Sequence, residues 1–495
     1  VMRLRWHNYK YYPYEKELAS REVTSLICPS GANEVQDGLD LREARPGSGA
    51  ERLTYFKGYE NGSGFTSTVQ AELEETARNG KNRQATRYSV HGLHEYKGKF
   101  NPQVAKALLN IFKVEPGQTV LDPFCGSGTT LVECCHLGVD AVGTDINPLA
   151  VFLSNAKLLG LSVPPCELRK AHKNISAQLR SFDGRKAPQS SAARREYLLK
   201  WFDPEIYDEI EGVRAIILDI AGEMSPIFLS VASNLLREYS QQDPRDLRIR
   251  RRTSPLPSNS FTSALLDALP QIIDRILSAR ELIGSRAPLG RAVLCDVSEL
   301  TADSAMRKFD AAITSPPYAM ALPYIDTQRL SLVWLDLLAP NQILELEASL
   351  IGSRELRGNS KRELPQLLAS NEAELPDQEY ELCIKLEDLL GEEDGFRRRA
   401  VPSLLYRYFA SMKANFSSVN RLMREGAPYA LIVGHNHTTI GGVRHDIDTP
   451  EHLSRLATAV GWKVEELIPL QTYRRYGYHV SNAVAAETLI ILRKE

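Results

Sequence analysis

Apolar and polar positions along residues 118–160 fall into the order strand, turn, helix, strand, helix. "QTVLD" (118–122) is a short apolar run closed by an acidic residue, and "VDAVGTD" (139–145) repeats that ending. Between them "PFCGSGTT" is a glycine-rich turn, and "LVECCHLG" (131–138) is a helix that stops at a glycine. "NPLAVFLSNAKLLG" starts with Asn147 as a cap and Pro148 at the first helical position, where the missing N–H is no handicap. Strands joined through a helix in this way lie parallel, and such sheets bind ligands at the carboxyl ends of their strands.

The pattern resumes far downstream. "AVLCD" (292–296), "FDAAIT" (309–314) and "APYALIVG" (427–434) read as further strands, and "TPEHLSRLATAVG" is a capped amphipathic helix. "WKVEELIPL" and "AAETLIILRK" form a closing antiparallel pair. Residues 162–290 are therefore an insertion into the sheet, with helical stretches on both sides of the basic segment "RIRRRTSPLP". A second insertion, 340–400, carries an acidic run and ends in "FRRRAVPSLLYRYF", and the pattern gives it no role. Residues 1–80 are expected to be an N-terminal extension of unknown role. Within it "WHNYKYYPYEKELASREVTSLI" is aromatic and partly helical, and "CPSGANEVQDGLDLREARPGSGAER" reads as a flexible or irregular connection.

Composition narrows the class. With 43% hydrophobic and 25% charged residues, the chain has the profile of a soluble globular protein. No apolar run approaches the roughly 18 residues of a membrane span, and the N-terminal residues lack the apolar region of a secretory signal. Seven scattered cysteines with no C-x-x-C pair argue for a reducing cytoplasm and against a disulfide framework or structural zinc. No metal-ligand set is expected. A net charge of −2 hides basic stretches at 78–100 and 245–252 and an acidic one at 371–394. Local basic patches neutralise phosphates whatever the total charge, although such runs also serve as solvated faces.

The glycine turn excludes two ligands. A P-loop needs a lysine after its last glycine, and none follows Gly128; a dinucleotide fingerprint needs a third glycine where Leu131 stands. What remains is Asp122, Phe124, Gly126 and Gly128, with acidic Asp145 ending the next strand. This set suits a nucleoside whose ribose hydroxyls meet Asp145 and whose tail is cationic, because Asp122 attracts an amino group or sulfonium and repels a pyrophosphate. The alternative is a tight strand–helix connection of some other α/β protein. A second oddity is "TSPPY" (314–318): the strand ends in two prolines that cannot continue a sheet. Alone, such a segment is most often a surface turn.

"VLDPFCGSGTT", "GTDINP" and "TSPPY" together resemble the S-adenosylmethionine-dependent amino-methyltransferases of DNA, particularly the N4-cytosine branch. The resemblance extends upstream to "HGLHEYKGKFNPQVAKALL" (91–109). It implies a Rossmann-like α/β methyltransferase fold, with a mostly parallel seven-stranded sheet, a closing antiparallel strand and large helical insertions. Residues 81–495 would then be the catalytic domain. The cofactor it implies is S-adenosylmethionine, held by Lys99, Phe100 and Asn101, by the turn residues Asp122, Phe124, Cys125, Gly126, Ser127, Gly128 and Thr129, and by Asp145, Ile146 and Asn147. Asp296 in this fold faces the adenine, or else caps the helix at "SEL".

The resemblance makes Ser315, Pro316, Pro317 and Tyr318 the catalytic hook. An exocyclic base amine is a poor nucleophile because its lone pair is delocalised into the ring. Ser315 Oγ and the Pro316 carbonyl are acceptors for its hydrogens, Pro317 adds rigidity, and Tyr318 is a flat face for an extruded base. Arg250, Arg251 and Arg252 in the first insertion, and Arg474 and Arg475 in "QTYRRYGYHVSN", are expected to contact DNA, with solvated loops as the other reading. The implied partners are double-stranded DNA and a cognate restriction endonuclease, and the implied compartment is the prokaryotic cytoplasm or nucleoid. The order of motifs departs from the usual place of the recognition region, which leaves target recognition open. Serine before Pro-Pro-Tyr favours N4-cytosine, while the chemistry also allows N6-adenine, an RNA base amine, or a non-catalytic nucleic-acid-binding module.

Overall fold

The computed structural model describes residues 2–43, 49–62, 64–77, 84–183, 191–284, 290–300, 308–320, 324–471 and 486–495. The N-terminal residues build a sheet of their own. β1 (Met2–Trp6), β2 (Gly31–Val35), β3 (Gly38–Arg42), β4 (Phe56–Asn61) and β5 (Gly64–Ser67) pair antiparallel in the order β2-β3-β1-β4-β5. Residues 31–42 of the stretch expected to be irregular are the β2–β3 hairpin, closed by Val35 opposite Gly38. Its alternation is hidden because β2 is an exposed edge strand of mostly polar or small residues. Gly38 is required by close approach: a Cβ there would lie 1.7 Å from the Leu4 carbonyl oxygen.

β6 (Thr119–Asp122), β7 (Asp140–Asp145), β8 (Arg291–Leu294), β9 (Ala311–Thr314), β10 (Pro428–Gly434), β13 (Trp462–Gln471) and β14 (Ala486–Lys494) form the central sheet, in the order β13-β14-β10-β9-β6-β7-β8. β11 (Asn436–Ile440) and β12 (Val443–Ile447) form a separate hairpin after β10. Neighbours from β8 to β10 are parallel, and β14 runs antiparallel to both β10 and β13. This is the Rossmann-like sheet expected from the pattern, including its closing antiparallel strand. Alternate residues serve opposite faces: Val120 and Ile313 join one hydrophobic cluster, Leu121 and Ala312 the other.

The described residues of 162–290 are mostly helical, with Pro165–Ser181, Pro204–Ala221 and Phe261–Ile283 the longest pieces. By length and composition the run Pro204–Leu235 could cross a membrane, a stretch the pattern did not single out; half of its apolar window is buried, and it packs against the neighbouring helices. The 340–400 segment is also helical and leads into the long helix Val401–Leu422.

The N-terminal sheet shares its hydrophobic cluster with the central one, and a buried carboxylate joins them. Glu22, on the helix Pro13–Leu26, accepts from Thr54 Oγ1 at 2.6 Å and from Asn110 Nδ2 at 2.7 Å. Burial pushes its pKa from 4.5 up to about 7. The folded state therefore favours the protonated acid, so this contribution is complete below pH 4.5 and is lost as pH rises through about 7. Glu22→Gln, which mimics the neutral acid, should spare the protein a loss of about 3 kcal/mol between pH 5 and 8. Urea unfolding of parent and variant at both pH values measures this; parallel pH dependence in the two proteins would show that Glu22 does not titrate in the fold.

Candidate active site

A cleft of about 2140 Å³ opens at the carboxyl ends of the central strands. Phe124 and Gly126 enter it from the turn after β6, Asp145, Ile146 and Asn147 from the end of β7, and Asp296 from beyond β8. All four hook residues, Ser315 to Tyr318, line the same cleft, as do Lys99, Phe100 and Asn101. The sheet order explains this convergence, since β7, β6 and β9 are neighbours and release their chains at one edge.

The glycine turn is shaped by contacts on both sides. Gly126 and Gly128 have φ of +49° and +79°, a region costly for other residues. A Cβ on Gly128 would sit 2.8 Å from Ser154 Oγ, whereas one on Gly126 would meet the Tyr96 ring at 3.4 Å inside the cleft. Asp145 fastens the turn: its carboxylate accepts from Gly126 N at 3.0 Å and from Asn147 N at 2.9 Å. Burial pushes Asp145 up to about 6, against those two hydrogen bonds. Each carboxylate oxygen keeps acceptor capacity for a ligand. Asn147 caps its helix by accepting from Leu149 N and donates to Gln328 Oε1 at 2.6 Å.

Other expected residues hold the walls. Lys99 Nζ donates to the Thr86 and His91 carbonyls at 3.2 and 3.3 Å, and burial lowers its pKa to about 7. Asn101 caps the helix Pro102–Ile111 and donates to Gln84. Asp296 caps the short turn Val297–Glu299 by accepting from Ser298 N at 2.8 Å, yet also faces the cleft. Cys125, Ser127, Gly128 and Thr129 do not line the cleft and form the supporting floor. Asp122, expected beside a cofactor cation, is not at the cleft surface either: it is buried, and its Oδ1 accepts from Thr314 Oγ1 at 2.6 Å and Phe124 N at 3.2 Å.

The hook is anchored at several points. Ser315 Oγ donates to the Ile432 carbonyl at 3.3 Å, which turns its lone pairs away from that strand. Tyr318 OH donates to Glu487 on β14, and Arg354 Nε donates to the Met320 carbonyl at 2.9 Å. Glu487, Gln328, Tyr96 and Arg354 all line the cleft and escaped sequence reasoning. Only Tyr96 carried a signal, lying within the motif-bearing segment 91–109.

The arginines 250–252 have partners within their own insertion. Arg250 pairs with Asp246 at 3.2 Å, Arg251 lies over the Trp201 ring, and Arg252 donates to the Glu238 carbonyl. None of the three lines the cleft, whereas Arg248 does. Arg474 and Arg475 lie outside the described residues. One group among the described residues has metal-ligand composition, His91, Glu133 and His136. It is fully buried and already internally bonded, with Glu133 accepting from Tyr88 OH at 2.7 Å and sharing a 2.6 Å hydrogen bond with His91 Nε2.

A family model of N6/N4 methyltransferases, described as DNA methylase, matches residues 37–155. Over 70 residues the chain is 47% identical to the type II methyltransferase M.MjaII of Methanocaldococcus jannaschii, covering 14% of this chain and 13% of that one. Over 289 residues it is 24% identical to M.MvaI of Kocuria varians, covering 54% and 63%. Over 385 residues it is 24% identical to M.BsoBI of Geobacillus stearothermophilus, covering 70% and 74%. Over these stretches the chain is similar to DNA amino-methyltransferases. It matches less than two thirds of the length of the first two of these relatives.

S-adenosylmethionine is the cofactor that the likeness to DNA methylases supports. The cleft fits it: a glycine at 126 keeps side-chain atoms out beside Tyr96, and a half-buried acidic group stands at the end of β7. Asp145→Ala should weaken S-adenosylmethionine binding by about 1–3 kcal/mol, the range for lost hydrogen bonds to a charged group. Calorimetry on the folded variant measures it; unchanged affinity would remove Asp145 from the cofactor site.

Proposed function

We propose that this protein transfers a methyl group from S-adenosylmethionine to the exocyclic amine of a flipped base in duplex DNA, the N4 amine of cytosine. The observation that carries this reading is the shared cleft, into which both the hook and the acidic end of β7 open. Bound S-adenosylmethionine supplies an electrophilic methyl on a sulfonium. The chain's own task is to hold a weak amine in line and to accept its hydrogens.

Ser315 Oγ spends its hydrogen on the Ile432 carbonyl, so it meets the target amine as an acceptor. The Pro316 carbonyl is the second acceptor, on a segment whose prolines fix φ. Acceptors fixed before the reaction stabilise the positive charge that grows on nitrogen without reorganising. Tyr318 stacks on the extruded base, with its hydroxyl tied to Glu487. Serine ahead of Pro-Pro-Tyr supports cytosine over adenine through family resemblance. Arg248 and Lys97 at the cleft edge supply phosphate contacts. The reading includes a cytoplasmic site of action on chromosomal DNA, and a cognate restriction endonuclease whose cleavage the methyl group would block.

Single-turnover transfer at saturating S-adenosylmethionine tests the mechanism, on duplexes whose cytosines or adenines are replaced one at a time. Ser315→Ala should keep cofactor affinity and lose about 3–4 kcal/mol of transition-state stabilisation. Tyr318→Ala should weaken capture of the base instead, by about 1–3 kcal/mol. Transfer at the parental rate by Ser315→Ala would reject the hook. Methyl on adenine N6 would reject the cytosine assignment, and methyl on RNA but not on DNA would reject the substrate.

A further inference from the structure

The second insertion reaches the cleft with an aromatic tip. Phe396 is 70% exposed, more than any other large hydrophobic side chain among the described residues. A single exposed apolar side chain is ordinary on a protein surface, so exposure alone carries nothing. Its setting is less ordinary. Phe396, Arg397 and Arg398 all border the cleft that holds the hook, and the Lys361 ammonium stands 5.4 Å from the Phe396 ring centre. An apolar ring is thus presented to solvent within a group of cations.

The base of this tip is rigid although its end is exposed. Phe396 opens a four-residue helical turn, Phe396–Arg399. Arg399 donates back to the Asp394 and Gly391 carbonyls at 2.8 and 3.0 Å. Asp394 accepts from Gly391 N at 3.0 Å and from Gly441 N at 2.8 Å, which ties the tip to the β11–β12 hairpin. The insertion is also fastened to the hook itself, through Arg354 and the Met320 carbonyl. Ring and hook therefore belong to one connected frame.

We propose that Phe396 is a wedge that enters the duplex beside the target base pair, with Arg397 and Arg398 on the flanking phosphates. The inference rests on the reading of this protein as a methyltransferase of duplex DNA. Extruding a base leaves a gap whose reclosure competes with catalysis, and an apolar side chain inserted between base steps opposes that reclosure. Phenylalanine offers no hydrogen bond to a base edge, so the wedge acts on stacking and reads no sequence. Its task differs from that of Tyr318, which receives the base inside the cleft.

The test compares parent, Phe396→Ala and Phe396→Trp on the duplex sequence found modified in DNA from an expressing host. Each is assayed with the target paired normally and with an abasic site opposite it, where little pairing remains to overcome. Phe396→Ala should slow single-turnover transfer on the paired duplex by about ten- to a hundredfold, the scale of one lost stacking contact. On the abasic duplex it should stay within about twofold of the parent, and Phe396→Trp should restore the paired rate. 2-Aminopurine at the target position should brighten with the parent and not with Phe396→Ala. An equal slowing on both duplexes, or no slowing on either, would overturn the wedge while leaving the methyltransferase reading intact. Absence of transfer by the parent to any duplex would overturn that underlying reading and the wedge with it.

Discussion

One carboxylate oxygen joins the two halves of the site. Asp122 Oδ1, at the end of β6, accepts from the Thr314 hydroxyl at the end of β9 and from the Phe124 amide at the start of the glycine turn. The parallel register of β6 and β9, with Leu121 opposite Ala312, brings those strand ends side by side. The carboxylate then fixes how the two chains diverge, one toward the cofactor turn and one toward the hook. Burial raises the pKa of Asp122 to about 6 against these hydrogen bonds, so holding the charge there is costly and the bonds offset part of that cost. A tie of this kind suits methyl transfer, because donor and acceptor must be set at a fixed separation by groups on different strands.

The same strand ends explain why large insertions are tolerated. The helices of 162–290 fill the connection between β7 and β8, and those of 340–400 the connection between β9 and β10. Loop-closure entropy grows only slowly with length, so such additions barely affect the sheet. Their chains leave from the carboxyl ends and return to the sheet, which is why Arg248 and Arg354 come back to the cleft. The N-terminal extension also contributes, with Tyr12 and Tyr14, at the start of the helix Pro13–Leu26, on the cleft wall. A buried polar network holds it to the helix Pro102–Ile111, with Lys106 Nζ donating to Gln70 at 2.9 Å and Gln103 Nε2 to Glu74 at 2.9 Å.

What was legible in the sequence was local. The glycine turn, the acidic end of β7 and the Pro-Pro break are each encoded within about ten residues, and their strands carry the apolar runs of a buried sheet. Asp145 and Ser315 could therefore be named before any geometry was known. Gln328 and Glu487 could not, because Asn147 meets Gln328 across 181 positions and Tyr318 meets Glu487 across 169. Asp122 was assigned a role toward the ligand because an acidic strand end is what the pattern displays; which way the side chain turns depends on Thr314, 192 residues away. The arginine loop divides among different neighbours. A run of arginines looks like one surface, yet Arg251 and Arg252 are occupied by Trp201 and the Glu238 carbonyl, and the cleft receives Arg248. The β2–β3 hairpin was missed because an edge strand needs no apolar face of its own.

Rigidity in the hook comes from more than its prolines. Pro316 and Pro317 fix two φ angles and remove two backbone donors, which defines a local shape but not a position. Position comes from neighbours on four different elements: Ile432 on β10, Glu487 on β14, Asn436 on β11 through the Ala319 carbonyl, and Arg354 from the second insertion. Three of these lie beyond residue 427, more than a hundred positions after the hook, two on the closing part of the sheet and one on the separate β11–β12 hairpin. The closing antiparallel pair therefore does more than finish the sheet. By placing Glu487 opposite Gly434 in register, it sets the carboxylate that holds the Tyr318 ring at the mouth of the cleft. A base entering beside Ser315 would meet an aromatic face fixed at both ends, by the proline-bound backbone on one side and by β14 on the other.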